Sequence, residues 1–283
     1  VGPLGVEAVA HDVALVEVVV VAVILGICMN KLEEKAHVLK SVLEGLSDVI
    51  NMWLTFLLNR VGPFAIFCMI SRTFAVYGVE YLKPAAAYMG TAIFTLFLVL
   101  LTVYPIGILL LTGLNPFKFI KKMAKVGVFG FAMNSSAATL PINMRTNLDE
   151  LGCSEEITSF VLPLGMTINM NGTSIMHMVA VTFIATSAGI PITLPTLVIM
   201  AVLTICAAAG TPAIPVAGTT MIFTVMAGLG FTTEACLVGY ALVVAINRPV
   251  EMSLLTLNVI GDAAVNVIVN AKEGELNRDV YNS

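Results

Sequence analysis

The chain has 283 residues, of which 58% are hydrophobic and only 11% are charged, and its formal net charge is −4. Soluble domains carry roughly 25% charged residues, so this composition, with a mean hydropathy of +0.97, argues against an ordinary water-soluble protein. The basic residues form no stripe, so we expect no nucleic-acid partner. The five cysteines form no CxxC or Cys/His pair that would predict a zinc site.

The first apolar stretches lie in residues 1–80. A helix needs about 20 residues to cross the hydrocarbon of a bilayer, and Val13–Met29 is a valine-rich run of nearly that length. The next stretch, Leu32–Asn59, begins amphipathic and becomes apolar, and this character continues to about Tyr77. The chain begins at Val1 without a visible signal peptide, and we expect further sequence upstream.

Five further segments follow in chain order. Ala85–Leu111 is an uninterrupted apolar span, and 114–156 is a mixed segment with a basic start and a centre of small residues. Three long apolar segments complete the chain, at 157–188, 194–227 and 236–271. Together these segments predict an all-α, multi-span membrane protein.

The distribution of lysine and arginine sets the expected orientation. Ten of the 14 basic residues can lie in the cytoplasm if segments 114–156 and 194–227 each enter and leave the membrane on the same side. Both segments are therefore predicted to be re-entrant hairpins. The same assignment places the C-terminus in the cytoplasm, in a multi-pass protein of the cell (inner) membrane.

Both predicted hairpins carry small, polar and helix-breaking residues near their centres, at Asn134–Pro141 and Ala208–Pro215. Each hairpin is followed by a helix that is broken or polar inside, at Asn169–Thr173 and Asn258–Asp262. Backbone at membrane depth must be satisfied internally or line a cavity, and paired interrupted segments indicate a transporter site near the midplane. Kinks packed by small residues are the alternative for a single break, but four breaks in a repeated order favour a transporter.

The predicted polar helix 236–271 carries Arg248, Glu251 and Asp262. A charged residue at the centre of a membrane helix costs roughly 2.5–3.5 kcal/mol on insertion scales. At 100° per residue, these three residues and Asn258 share an arc about 80° wide, which predicts a polar lining. A self-neutralising Arg248–Glu251 pair with a packing role only is the alternative, because i, i+3 spacing allows direct contact.

Asp262 has no basic partner in its predicted helix, so we expect a metal ion or a proton to neutralise it. With Asn169, Asn258 and the carbonyls of a broken helix it would form a hard-oxygen site of low charge, which suits an alkali cation better than zinc. His177 either carries a proton or is an interior histidine satisfied by its neighbours, and the sequence leaves both interpretations open.

Four motifs in this order resemble the glutamate transporter homologue family, the dicarboxylate/amino acid:cation symporters: Asn134–Pro141, Leu162–Thr173, Gly210–Gly218 and Asn258–Asp262. The resemblance covers nearly the whole chain, from the family's fourth helix to its eighth, and we expect the first three helices to be absent. It implies a homotrimer in which the hairpins and the helices after them form a mobile, elevator-type transport domain, gated by the second hairpin. Residues 1–80 would be a partial scaffold, and residues 81–283 mainly the transport domain.

The resemblance also implies the site residues. One cation would bind the carbonyls of Gly165 and Asn258 and the carboxylate of Asp262, and a second would bind among backbone oxygens. The implied cation ligands are Gly165, Thr167, Asn169, Ala208, Ala209, Thr211, Asn258 and Asp262. The implied substrate-binding residues are Ser135, Ser136, Thr173, Gly218, Arg248, Glu251, Leu254, Leu255 and Asn258.

Three departures from the family's pattern bear on the ligands. Members that carry acidic amino acids have an arginine where this chain has Leu254, and a neutral side chain there resembles the neutral-amino-acid branch. Asn171 replaces an aspartate of the third sodium site. Glu251 replaces the aspartate that binds the substrate amine, and Leu255 replaces a threonine. Arg248 would either supply a carboxylate clamp or neutralise Glu251.

The sequence therefore predicts a secondary active symporter that couples Na⁺ or H⁺ to uptake of an amino acid or a small dicarboxylate, in contact with membrane lipid and without an organic cofactor. An uncoupled ion channel or anion-conducting protein is the alternative, since a polar helix stripe alone fits it. An enzyme is not expected: no nucleophile–base set is evident, and Glu251 and Asp262 lie about 16 Å apart along a helix.

Overall fold

The computed structural model describes residues 31–60, 82–211 and 217–283, with isolated positions between residues 21 and 75, and this part of the chain is helical without strands. The predicted span Val13–Met29 lies largely outside the described residues. A short 3₁₀ helix, Glu33–Ala36, precedes α1. The helices are α1 His37–Arg60, α2 Leu82–Thr112, α3 Pro116–Met133, α4 Ser136–Asp149, α5 Glu155–Ile168, α6 Asn171–Ser187, α7 Leu194–Ala209, α8 Ala217–Gly228, α9 Glu234–Ile246, α10 Arg248–Glu273 and α11 Arg278–Asn282.

Local sequence signals explain where several of these helices begin. Asn115, Ser135, Ser154 and Thr193 are N-caps whose side-chain oxygens accept from backbone amides of the first turn. Thr233 caps α9 in the same way. An N-cap oxygen satisfies one of the amide groups that a helix start leaves unpaired.

Both predicted hairpin segments fold as two consecutive helices that pack on each other, α3 with α4 and α7 with α8. We call them hairpin 1 (116–149) and hairpin 2 (194–228). The first hairpin turns at Asn134 and Ser135, where Asn134 takes a left-handed conformation with φ of 48°. The helix after hairpin 1 is broken at Asn169–Met170, within the predicted interruption Asn169–Thr173, whose last three residues belong to α6. The tip of hairpin 2, residues 212–216, lies outside the described residues.

The expected interruptions differ from the observed ones at three places. Segment 236–271 is not one span, because α9 ends at Ile246 and α10 begins at Arg248. Asn258–Asp262 is continuous helix, polar but unbroken. Pro141 lies inside α4, so the turn of hairpin 1 is shorter than Asn134–Pro141.

The two hairpin–helix units exchange their partners. The last long helix, α10, packs on α3 and α4 of hairpin 1, and also on α2, α5 and α6. The broken-helix segment α6 packs on α7 and α8 of hairpin 2, and also on α2 and α9. Each hairpin therefore rests on a helix from the other unit, and α10 is buried along most of its length.

A ladder of buried side-chain amides joins hairpin 1 to α10. Its members are Asn143 and Asn147 on α4 and Asn266 and Asn270 on α10, each no more than 1% exposed. The Asn266 amide nitrogen lies 3.0 Å from Asn147 Oδ1, and the Asn270 amide nitrogen lies 3.2 Å from Asn266 Oδ1. We call these four residues the asparagine ladder.

The asparagine ladder is tied to the surrounding backbone at both ends. Asn143 Nδ2 donates to the carbonyl of Val259 over 3.0 Å, and Asn270 Oδ1 accepts from the amide of Ser154 over 2.7 Å. Asn266 also donates to Thr158 Oγ1 on α5. Buried polar groups stabilise a fold only when they are paired, so this ladder sets one position of hairpin 1 on α10.

Candidate functional site

Asp262 lies on α10 opposite the break between α5 and α6. Its Oδ1 accepts a hydrogen bond of 2.7 Å from Asn169 Nδ2, and Asn169 also donates to the carbonyl of Asn258 over 3.2 Å. A Cβ placed on Gly165 would lie 2.6 Å from Asp262 Oδ1. The absence of a side chain at Gly165 thus lets the carboxylate approach the last turn of α5 directly.

Asn258 contacts the opened start of α6. Its Oδ1 accepts from the backbone amide of Gly172 over 2.7 Å. A Cβ on Gly172 would lie 2.6 Å from the carbonyl of Leu254, so α6 begins in close contact with α10. The amide groups of a first helical turn lack partners within the helix, and here one of them is satisfied by α10.

Four predicted cation ligands therefore meet at one place: Gly165, Asn169, Asn258 and Asp262. They combine one carboxylate with amide and main-chain oxygens, which is the donor chemistry of an alkali cation or a proton rather than of zinc. Within the described residues, no three His, Cys, Asp or Glu side chains cluster as a metal site.

The other predicted cation ligands make local contacts. Thr167 is exposed and donates to the carbonyl of Leu164 over 2.9 Å. Thr211 is buried and donates to the carbonyl of Ala207 over 2.8 Å. Ala208 is buried at the end of α7, and Ala209 is exposed. In the described part of the chain, no hydrogen bond joins Thr167 to α7, and the second cation site stays a prediction.

Glu251 is 5% exposed and lies between the two hairpins. Thr219, in the first turns of α8, donates its hydroxyl to Glu251 Oε1. Arg248 Nη1 lies 3.7 Å from Glu251 Oε2, and the Arg248 side chain is about half exposed. The predicted pairing of Arg248 with Glu251 is therefore present, at a distance that leaves the guanidinium other donors.

The tip of hairpin 1 contacts the same pair. With its side-chain amide oriented to satisfy both neighbours, Asn134 donates to the Glu251 carbonyl over 3.1 Å and accepts from Arg248 Nη1 over 2.8 Å. Each hairpin thus contacts the first turn of α10, one through Asn134 and the other through Thr219.

Other predicted substrate residues lie on the hairpins and on the first turn of α6. Ser135 caps α4, and Ser136 is buried behind it. A Cβ on Gly218 would lie 3.4 Å from Thr173 Cγ2, so hairpin 2 packs on the start of α6. His177 Nε2 lies 2.8 Å from the carbonyl of Gly218, and its other ring nitrogen is buried without a partner.

The two leucines that depart from the family's pattern face different neighbours. Leu254 lies against the start of α6, with its Cβ 2.9 Å from a Cβ placed on Gly172. Leu255 lies near Gly130 of hairpin 1, with its Cδ2 3.7 Å from a Cβ placed there. Leu255 therefore fills the contact between α10 and hairpin 1, although it lies on the arc that includes the polar residues.

Four residues near the site were not predicted from the sequence: Tyr88, Tyr104, Thr219 and Asn247. Asn171 donates to Tyr104 Oη over 3.3 Å, so α2 contributes a tyrosine beside the α5–α6 break. Asn247 lies at the α9–α10 break, and Pro249 could have signalled this break, since proline is favoured in the first turn of a helix.

Sequence comparisons relate the chain to known transporters. The profile of the sodium:dicarboxylate symporter family matches residues 5–272. An excitatory amino acid transporter of Caenorhabditis elegans is 29% identical over 248 residues, 87% of this chain and 48% of that protein. The C4-dicarboxylate transport protein of Cupriavidus necator is 30% identical over 267 residues, 93% of this chain and 60% of that protein. The chain thus spans about half the length of the curated relatives it matches.

Two helical segments in the described residues are long and apolar enough to cross a bilayer, Lys83–Thr112 and Arg248–Glu273. The first exposes large apolar side chains such as Phe94, Leu101 and Leu110, and the second is mostly buried. The family predicted from the four motifs is confirmed by the profile match over nearly the whole chain: this is an integral membrane protein of the sodium:dicarboxylate symporter family.

Proposed function

We propose that the chain is the core of a secondary active symporter that couples movement of Na⁺ or H⁺ to uptake of an amino acid or a small dicarboxylate. The observation that carries this proposal is the position of Asp262, a buried carboxylate held by Asn169 against the broken helix α5–α6. In the described residues, Asp262 forms no salt bridge with a basic side chain. A buried carboxylate needs a compensating charge or a proton, and a transported cation supplies it.

The proposal gives hairpin 2 the role of the gate and hairpin 1 a fixed role. Hairpin 1 is joined to α10 by the asparagine ladder, whose amides are paired in a buried environment. Hairpin 2 packs on α6 and reaches α10 through the hydroxyl of Thr219. A single hydrogen bond to a charged group contributes roughly 1.5–3 kcal/mol, whereas several buried amide bonds hold hairpin 1, so we expect hairpin 2 to be the more easily released of the two.

In this mechanism the cation and the substrate favour the same closed state. A cation at Asp262 stabilises the contact between α10 and the α5–α6 break, and the substrate binds beside Arg248 and Glu251. Each ligand then raises the affinity for the other, as coupling between two sites requires. Residues 81–283 would mainly form one elevator-type transport domain, which crosses with its ligands against a scaffold that includes residues 1–80, within a homotrimer.

The substrate is expected to carry a carboxylate. Arg248 is half exposed, and its contact with Glu251 is long enough to leave other guanidinium donors available. The names of the relatives, which include an excitatory amino acid transporter and a C4-dicarboxylate transport protein, describe substrates of this kind for those proteins.

Uptake by the full chain reconstituted in liposomes tests the proposal. We expect radiolabelled aspartate, alanine or succinate to accumulate inside the liposomes above its external concentration when a sodium or proton gradient is imposed. The ion whose gradient drives this accumulation is the coupling ion. Asp262→Asn should abolish the dependence on that ion. Asp149→Asn, the same chemical change at an exposed surface pair with Arg145, should leave it intact.

Two results would contradict this function. Ion currents without accumulation of any solute would indicate the alternative, an uncoupled channel. Unchanged ion dependence in Asp262→Asn, with normal uptake, would remove Asp262 from the coupling site even if the chain is a transporter.

A further inference from the structure

A chain of hydrogen bonds connects α2 to Glu251 through the start of hairpin 2's second helix. Tyr88 Oη donates to Asn247 Oδ1 over 2.6 Å, and Asn247 Nδ2 donates to Thr219 Oγ1 over 2.5 Å. Thr219 in turn donates to Glu251 Oε1. All four side chains are buried, with at most 5% of any of them exposed.

The direction of every bond in this relay follows from the chemistry of its members. The amide nitrogen of Asn247 has hydrogens and no acceptor site, so Thr219 must accept from it. The Thr219 hydroxyl hydrogen is then directed to the carboxylate of Glu251. With Nδ2 of Asn247 directed to Thr219, its Oδ1 faces Tyr88, and the Tyr88 hydroxyl donates to that oxygen.

We propose that Tyr88 and Asn247 are positioning residues that hold the first turns of α8 on Glu251, and so set how readily hairpin 2 opens. Both residues connect to Glu251 through Thr219. The consequence for transport rests on the function proposed above, in which hairpin 2 is the gate, but the effect on hairpin 2 itself does not require transport.

The position of Thr219 makes this relay effective. It follows the segment 212–216 by three residues and lies next to Gly218, whose carbonyl contacts His177. Asn247 occupies the α9–α10 break, where the backbone of neither helix uses its side chain as a cap. Its amide is thereby free to join α2 to α8, and its nitrogen also lies 3.1 Å from Met176 Sδ on α6.

Hydrogen exchange measured by mass spectrometry on the purified full chain, without substrate or gradient, tests the relay. In Tyr88→Phe, amides of residues 217–228 should exchange about fivefold faster than in the unsubstituted protein, the factor expected for one lost hydrogen bond. Tyr240→Phe is the matched control, because Tyr240 packs on Phe223 of hairpin 2 with ring centroids 5.7 Å apart but lies outside the relay.

A double-substitution cycle separates positioning from general loosening of the fold. Thr219→Val removes the hydroxyl at nearly constant volume and should speed exchange in 217–228, whereas Thr219→Ser keeps the hydroxyl and should not. Tyr88→Phe added to Thr219→Val should have no further effect, because the relay is already interrupted. Additive effects are instead expected for residues that stabilise hairpin 2 independently.

Each outcome decides the proposal. Faster exchange in Tyr88→Phe and Thr219→Val, without additivity, supports it even if reconstituted uptake fails. Exchange in Tyr88→Phe equal to that in Tyr240→Phe overturns it, and so does full additivity in the cycle. If Tyr88→Phe does not fold, the comparison of Thr219→Val with Thr219→Ser still tests the bond to Glu251, and equal exchange in those two overturns the proposal.

Discussion

Asn169 and Asp262 meet across the break between α5 and α6, with an amide nitrogen of the first 2.7 Å from a carboxylate oxygen of the second. This contact joins the two hairpin–helix units at their least regular point. The helix on one side of it ends, and α10 on the other side continues unbroken. A cation that binds here therefore acts on both units.

Gly165→Ala should weaken the dependence of uptake on the coupling ion. The added Cβ would lie 2.6 Å from Asp262 Oδ1 and 3.0 Å from its Cγ, so the carboxylate must move away from the last turn of α5. We expect the ion concentration for half-maximal uptake to rise about tenfold, equivalent to roughly 1.4 kcal/mol. Gly107→Ala, a helical position of α2 with no atom within 4 Å of the new Cβ, is the control. Equal ion dependence in both variants would argue against this position for the cation.

Leu254→Arg should shift selectivity towards acidic substrates. Leu254 lies beside the opened start of α6, where we expect a guanidinium to pair with a second carboxylate of the substrate. Competition of aspartate, succinate and alanine for uptake measures the shift, which we expect to be about tenfold. Leu254→Gln provides a polar but uncharged control. The assignment of this position fails if the arginine and glutamine variants select alike.

Asn266→Leu should destabilise the fold without a direct effect on ligands. Asn266 donates to both Asn147 and Thr158, and leucine would leave these buried acceptors unpaired at a cost of about 1–3 kcal/mol for each group. Denaturant unfolding in detergent measures the change. Asn282→Leu alters the exposed C-terminal helix α11 and should change stability little. If the two variants unfold alike, the asparagine ladder does not secure hairpin 1.

Cys153 should resist alkylation while the protein is folded. It lies in the connection 150–154 between α4 and α5, outside the membrane-spanning segments, and burial raises the pKa of its thiol to about 12. Because the thiolate is the reactive form, we expect negligible modification by N-ethylmaleimide at pH 8, with full modification after denaturation. The raised pKa also means that stability falls as pH rises above about 9, where only the unfolded thiol ionises. Mass spectrometry after timed labelling measures the extent of alkylation of Cys153. Rapid labelling of this residue in the folded chain would contradict the prediction.

The sequence predicted where helices break or turn better than it predicted how many residues each break or turn contains. The break at Asn169–Met170 and the turn of hairpin 1 were recognised because polar and helix-breaking residues interrupt apolar runs. Pro141 was included in that turn, but α4 begins at Ser136 and the proline lies within it. Gly261 suggested an interruption of α10 that is absent, because a glycine in a helix also serves where a bulky neighbour, here Tyr104, packs closely.

The contacts between distant segments were the part that the sequence could not supply. The polar arc on α10 indicated that Glu251, Asn258 and Asp262 face a common region, and the structure confirms that all three are buried. The sequence did not identify Tyr88 or Thr219, since a single hydroxyl in an apolar helix carries no periodic signal. Their partners lie 159 and 32 residues away along the chain, and only folding brings them together.

The exchange of partners between the two units has a consequence for biosynthesis. Hairpin 1 leaves the ribosome early, but its ladder residues find their amide partners only when Asn266 and Asn270, near the end of the chain, have been translated. In a nascent chain stopped before α10, the asparagines of hairpin 1 would lack their hydrogen-bond partners, and hairpin 1 would have no α10 to pack on. Translation of α10 therefore completes the packing of hairpin 1, and chains truncated before α10 should be prone to aggregate.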